Sequence, residues 1–221
     1  MADSPQRFRL LAFDWDGTLA DSTSLIAVAL QQTCREMGLP VPDDTAAKHV
    51  IGLSYQDSIR YLAPTLEHEH HEHFRERFGA NYLTGDASIP LFDGVHEMLA
   101  ELDARGFMLG IATGKSRRGL TRVLAQHAIA HRFGVSRCAD EGFSKPHPDM
   151  LLTLMDQAGV EPETTLMIGD TTHDLQLARN AGVASVAVSY GAHPLEGLTE
   201  MQPLATVHSI AELRAWLATN A

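Results

Sequence analysis

Two aspartates two residues apart, in Asp14-Trp15-Asp16-Gly17-Thr18, are the first residues of this chain whose types and spacing suit catalysis. One carboxylate of such a pair can attack phosphorus, while the other protonates the leaving oxygen and then deprotonates water. Gly17 permits the tight turn that aims both inward. The same residues also read as a plain turn, since Asp and Gly favour turns for local reasons. A second acidic group, Gly169-Asp170-Thr171-Thr172-His173-Asp174, favours chemistry. Asp170 follows another apolar run, and with Asp14 it offers the few oxygen ligands that a hard Mg²⁺ ion takes from protein. Asp174 also suits a helix start, where its charge favours the dipole. Thr113-Gly114 supplies a hydroxyl and an amide for phosphate oxygens. Lys145, held between Ser144 and Pro146, supplies a cation for phosphate and carboxylates alike. Alone, Lys145 reads as a surface lysine.

These groups gain weight because each sits where a strand should end. Residues 8–13, 107–112, 165–169 and 184–188 are short apolar runs of strand character. Helical patterns near residues 116–127, 149–159, 173–181 and 209–217 alternate with them. Such alternation predicts an α/β fold, a Rossmann-like parallel sheet sandwiched by helices and linked by right-handed crossovers. Ligands bind such sheets at the carboxyl ends of the strands. Residues 19–92 interrupt the alternation with helical stretches only (22–37, 54–62 and 67–82), predicting an inserted α-helical cap. The expected division is 1–18 and 93–221 for the core and 19–92 for the cap, with hinges at the first loop and at Pro90-Leu91-Phe92-Asp93-Gly94.

Composition excludes several classes. A net charge of −11 argues against a nucleic-acid surface, which needs clustered Lys and Arg. No run approaches the ~18 apolar residues of a membrane span, and no leader precedes the first strand, so a cytoplasmic protein is expected. Cys34 and Cys138 have neither disulfide-framework nor zinc-ribbon spacing and read as buried free thiols. Lysine occurs only at Lys48, Lys115 and Lys145, so the positive potential that a phosphate needs must be made locally.

In order along the chain, DWDGT, TG, KP and GDTTHD resemble the motifs of the haloacid dehalogenase superfamily of hydrolases, over essentially the whole length. The helical insert directly after the first motif is similar to the phosphoglycolate-phosphatase-like branch. The resemblance implies a nucleophile at Asp14 and a general acid and base at Asp16. It implies Mg²⁺ held by Asp14, Asp170 and the main-chain carbonyl of Asp16, with Asp174 supporting the metal indirectly or through water. Thr113, Gly114 and Lys145 would hold phosphate. The substrate implied is a small phosphorylated metabolite.

Within the superfamily, dehalogenases lack the second aspartate, so Asp16 argues for phosphate chemistry. Phosphonate-cleaving relatives share a Trp beside the nucleophile, but replace the second acid and need a cap lysine; Lys48 does not sit where their motif places it, leaving Trp15 as packing. A mutase resembling β-phosphoglucomutase is a rival, because residues 51–58 follow the rhythm of its cap loop. The basic residues of that loop are replaced here by Ile51 and Tyr55, which favours hydrolysis. Two further rivals are a pyrophosphatase and a non-catalytic binding module that keeps the fold.

Gly52, Leu53, Ser54 and Tyr55 form the candidate loop for reading the leaving group, or a plain connection between helices. His68, His70, His71 and His73 could bind zinc at helical spacing, but no further ligand closes the set, and a solvated helix is expected. Lys115-Ser116-Arg117-Arg118, directly after Thr113-Gly114, could attract an anionic substrate, but a surface charge group is the expected reading. A monomer is expected by default, or else a homodimer through the cap.

Overall fold

The computed structural model describes residues 6–86 and 89–221. The first five residues of the expected core, and positions 87 and 88 of the expected insert, lie outside the described residues. The chain runs β1 (Leu10–Phe13), α1 (Thr23–Glu36), α2 (Asp44–His49), α3 (Tyr55–Leu62), α4 (His71–Asp86), α5 (Val95–Ala104), β2 (Met108–Thr113) and α6 (Arg117–Gln126). It continues through β3 (Val135–Cys138), α7 (Asp149–Ala158), β4 (Thr165–Gly169), α8 (Thr172–Asn180), β5 (Ala184–Val188), α9 (Leu195–Glu200), β6 (Ala205–Val207) and α10 (Ile210–Asn220).

All the strand pairings are parallel, in the order β3-β2-β1-β4-β5-β6. The α/β sandwich expected from the alternation of runs is the fold observed. The two-residue period of the strands explains its two packed layers. Leu11 and Phe13 pack with Val95, Met98 and Leu99 of α5 and Leu120 of α6 on one face. Leu10 and Ala12 pack with Met150 and Leu154 of α7 and Leu177 of α8 on the other. Because β1 is central and its neighbours β2 and β4 come later in sequence, the chain switches direction on either side of it. A crevice opens at such a point beyond the strand ends.

The helices α1 to α4 have an apolar centre of their own, in which Leu30, Cys34, Val50, Ile59, Ala63 and Phe74 are buried together. The two chain segments that lead into and out of this helical unit run side by side. The Asp21 amide donates to the Pro90 carbonyl at 3.0 Å, and the Phe92 amide to the Leu19 carbonyl at 3.0 Å. Both cysteines are buried free thiols, as expected. Among the described residues, no helix is long and apolar enough to cross a membrane.

Candidate active site

Strands β1, β2 and β4 end side by side, and each delivers a polar residue at its carboxyl end. Asp14 follows β1, its amide extending the ladder to the Ile168 carbonyl of β4 at 2.9 Å. Asp170 follows β4, and Thr113 closes β2. All three are fully buried, as are Asp174 and, nearly so, Lys145. The Lys145 ammonium lies 2.5 Å from Asp14 Oδ1 and 2.6 Å from Asp174 Oδ1. The structure thus seats the lysine of the Pro-rich loop inside the site rather than on the surface. The Asp14 carboxylate is asymmetric as a result. Its Oδ1 is held by Lys145, whereas Oδ2 is buried and has no hydrogen-bond partner.

Asp170 is fixed at both oxygens: Thr18 Oγ1 donates to Oδ1 at 2.8 Å, and the Ala192 amide to Oδ2 at 2.7 Å. Gly17 adopts φ +83°, and a Cβ there would fall on the Asp170 carboxylate, so the glycine both makes the turn and leaves room for the second acid. Asp174 occupies the first turn of α8 and forms a capping box with Thr171, accepting from its amide at 3.0 Å and its hydroxyl at 2.7 Å. Asp174 thus starts the helix with one oxygen and pairs with Lys145 through the other.

Asp14, Asp170 and Asp174 present carboxylate oxygens within 4.8 Å of one another. Burial pushes the Asp14 carboxyl up to about 7; Lys145 opposes this, and Asp174 and Asp16 add to it. Burial likewise holds Asp170 well above the ordinary carboxylate range, with Asp14 and Asp174 reinforcing it. Lys145 stays firmly protonated: burial alone would lower its pKa, but Asp14 and Asp174 more than offset that. Three packed carboxylates facing one cation leave an excess of negative charge. Together with the all-oxygen donor set, this fits a hard divalent cation.

Asp16 is held separately. Ser22 Oγ donates to its Oδ1 at 2.6 Å, and the Lys115 ammonium stands 3.0 Å from the same oxygen. Lys115 keeps 10% of its side chain exposed and also donates to the Tyr82 hydroxyl at 3.1 Å. The surface-charge reading of residues 115–118 is thus corrected for Lys115. Its burial follows from Tyr82, which the helical unit brings over from 33 positions away. Ser22, Thr18, Lys115, Tyr82 and Thr171 are site residues that the sequence reading does not assign. The rarity of lysine and the position of Lys115 directly after Thr113-Gly114 are the only signals that single one of them out.

The helical unit closes over these strand ends. A Cβ at Gly114 would lie 2.7 Å from the Leu53 carbonyl oxygen and 2.8 Å from that of Gly52, so the Gly52-Leu53 loop rests directly on the Thr113-Gly114 turn. Ser54 caps α3, and Asp57 accepts from Ser54 at 2.6 Å and from Ser144, beside Lys145, at 2.7 Å. Leu53, Asp57, Ser144, His173 and Asn180 line a crevice of about 550 Å³ along this seam. Tyr55 departs from its neighbours. Its hydroxyl donates to the His71 carbonyl at 2.6 Å and its ring packs against Phe74, inside the helical unit. The His68 and His71 rings lie 5.1 Å apart, His68 exposed and His71 half-buried. Gly114→Ala is expected to lift the Gly52-Leu53 loop and lower kcat/KM by about 10²-fold, the scale of a misplacement near 1 Å. Unchanged kinetics would show that the close approach has no bearing on catalysis.

A family model described as haloacid dehalogenase-like hydrolase matches residues 11–188. The chain belongs to the haloacid dehalogenase-like hydrolase family. It is 35% identical over 219 residues to a phosphoglycolate phosphatase of Vibrio vulnificus, covering 94% of this chain and 95% of that one. It is 32% identical over 204 residues to a phosphoglycolate phosphatase of Aliivibrio fischeri, covering 88% and 90%. A haloacid dehalogenase-like family hydrolase from Streptococcus pneumoniae superposes with a TM-score of 0.80 at 26% identity, over 95% of this chain and 98% of that one. A hydrolase from Pseudomonas syringae shares the fold at a TM-score of 0.87 and 24% identity, over 97% and 99%.

Proposed function

We propose that this haloacid dehalogenase-like hydrolase is a Mg²⁺-dependent phosphatase of small phosphomonoesters, phosphoglycolate-like in class, working through a phosphorylated Asp14. The observation that carries the reading is the buried, unpartnered Oδ2 of Asp14 beside an Oδ1 tied to Lys145. One oxygen anchors the carboxylate, and the other is left to attack.

Asp14 Oδ2 forms a bond to phosphorus as the ester oxygen leaves, and Asp16 gives that oxygen its proton. Asp16 then takes a proton from water, whose oxygen attacks the same phosphorus and returns Asp14 to its carboxylate with release of inorganic phosphate. Thr113, Gly114 and Lys145 hold the phosphoryl oxygens. Asp14, Asp170 and the Asp16 carbonyl would hold Mg²⁺, with Asp174 steadying Lys145 and the metal's surroundings. Bound there, the ion supplies charge neutralisation for the phosphoryl group and the carboxylates. The helical unit of residues 19–92 acts as a cap, excluding bulk water and presenting Gly52, Leu53 and Ser54 toward the leaving group. At the two cap positions where a mutase would need cations stand buried Ile51 and the inward-packed Tyr55, so hydrolysis is favoured over phosphoryl exchange. We place the enzyme in the cytoplasm, as a monomer by default or a homodimer through the cap.

The test is phosphate release from a panel of small phosphomonoesters and pyrophosphate, with Mg²⁺ and with chelator, for wild type and Asp16→Ala. Release should require Mg²⁺ and fall by at least ~10²-fold in Asp16→Ala. Wild-type rates in that variant would remove the acid and base role.

The raised Asp14 carboxyl carries a further expectation. With its folded pKa near 7 against an ordinary 3.8, its contribution to stability is complete below about 4 and is lost as pH rises through about 7. Mg²⁺ needs the deprotonated form. The rise in Tm on replacing chelator by Mg²⁺ should therefore be larger at pH 8 than at pH 5. Equal shifts at both would contradict metal binding at these carboxylates.

A further inference from the structure

Of the three lysines, Lys48 pairs with Asp44 on the surface of α2, and Lys145 is held between Asp14 and Asp174. Lys115 faces the remaining acid of the site. Its ammonium stands 3.0 Å from Asp16 Oδ1, an oxygen that already accepts from Ser22 at 2.6 Å. Holding Asp16 in place therefore does not require a lysine. Among the described residues, the contacts of this carboxylate fall on Oδ1, which leaves Oδ2 for the proton given to the ester oxygen.

The ammonium is set in place from both layers of the molecule. On the sheet side, Lys115 follows the Thr113-Gly114 turn, and its amide donates to Thr113 Oγ1 at 3.2 Å. From the helical unit, the Tyr82 hydroxyl accepts from the ammonium at 3.1 Å, and the Tyr82 ring centre lies 5.1 Å from it. Lys115 stays protonated: burial alone would lower its pKa, but Asp16 and Tyr82 more than offset that. An ammonium carries three N–H donors. Asp16 and Tyr82 take two of them among the described residues, and the third is left for a ligand. The Gly52 and Leu53 carbonyls close over the neighbouring Gly114, so a leaving group beside Lys115 has to be small.

We propose that Lys115 selects the substrate by pairing with a carboxylate on the leaving group, one carbon away from the ester oxygen that Asp16 protonates. This rests on the phosphatase reading above and narrows its substrates to phosphomonoesters of small 2-hydroxy acids. In the step where Asp16 brings its proton to the ester oxygen, the ammonium loses its anionic partner, and an unpaired charge in a closed site is costly. A carboxylate on the leaving group replaces that partner through a charge-assisted hydrogen bond. Because Tyr82 belongs to the helical unit, the carboxylate is read only with the cap down.

Phosphate release from 2-phosphoglycolate and from its isosteric carboxamide, both in Mg²⁺, reads the pairing as a ratio of kcat/KM values. Wild type should favour the carboxylate by at least about 10-fold, the scale of one hydrogen bond between charged groups. Lys115→Met should bring the ratio to within about 3-fold of unity, and Lys115→Arg, which keeps the charge, should restore a preference for the carboxylate. Calorimetry in the Asp14→Asn background gives a readout free of turnover. There the carboxylate should bind more tightly than the carboxamide, and adding Lys115→Met should abolish the difference, with thermal melts confirming that each variant is folded. Equal slowing of both esters in Lys115→Met means that the ammonium only holds Asp16, and overturns the proposal alone. So does a wild type that treats the two esters alike. No Mg²⁺-dependent release from any ester overturns the phosphatase reading, and the proposal with it.

Discussion

Asp14→Asn is expected to lower phosphate release by at least about 10⁴-fold while leaving the fold intact. An amide has no lone oxygen of comparable nucleophilicity, and the phosphorylated intermediate cannot form. The same change should raise Tm in chelator at pH 8. The Asp14 carboxylate is buried among Asp16, Asp170 and Asp174, and its charge is unfavourable enough to hold its pKa near 7. Removing that charge relieves on the order of a few kcal/mol at high pH, while Lys145 keeps Asp174 as a partner at 2.6 Å. Loss of activity with gain of stability marks a residue kept in an unfavourable state for its chemistry. Two results would count against the assignment: turnover within 10-fold of wild type, or a variant that melts below wild type in chelator at pH 8.

Lys145→Met is expected to have the largest effect on stability. The substitution keeps an unbranched chain of similar length but leaves Asp14 and Asp174 without their buried counter-ion. Losing one partner of a buried pair costs about 3–5 kcal/mol, which for a chain of this size lowers Tm by about 6–20 °C. Without the ammonium, the folded-state pKa of Asp14 rises further above about 7, so the deficit should shrink as pH falls toward about 7, where the Asp14 carboxyl takes up its proton in the wild type as well. Lys48→Met is the control. Lys48 pairs with Asp44 on the open surface of α2, and its loss should cost less than about 1 kcal/mol. If the two variants melted together, the buried pair would have no energetic role.

The strand ends were legible in the sequence because parallel strands buried on both faces read as unbroken apolar runs. That made β1, β2, β4 and β5 visible, and with them Asp14, Thr113 and Asp170. The edge strands were not. β3 reads Val-Ser-Arg-Cys, with only Cys138 fully buried, and β6 has three residues. Neither is covered well enough to need an apolar run. The helices α2 and α9 have six residues each, too few for a periodic signal to stand out. The helix α5 does carry one, in Val95, Met98, Leu99 and Leu102, and is absent from the expectations although its pattern is plain. Lys115 and Tyr82 are a different case. No local pattern joins them, because their contact exists only once the helical unit has come down on the sheet.

The contacts of that unit fall beside the candidate site residues in sequence. Ser144, which holds Asp57, precedes Lys145; His173, which holds the His49 carbonyl, precedes Asp174; Lys115, which holds Tyr82, follows Gly114. A cap grafted from a relative would arrive without its seats, because those seats belong to the recipient's own strand-end loops. Exchanging substrate preference between members of this family therefore means moving Lys115, Ser144 and His173 together with the helices. Chimeras joined only at the two hinge segments should lose turnover before they gain a new substrate.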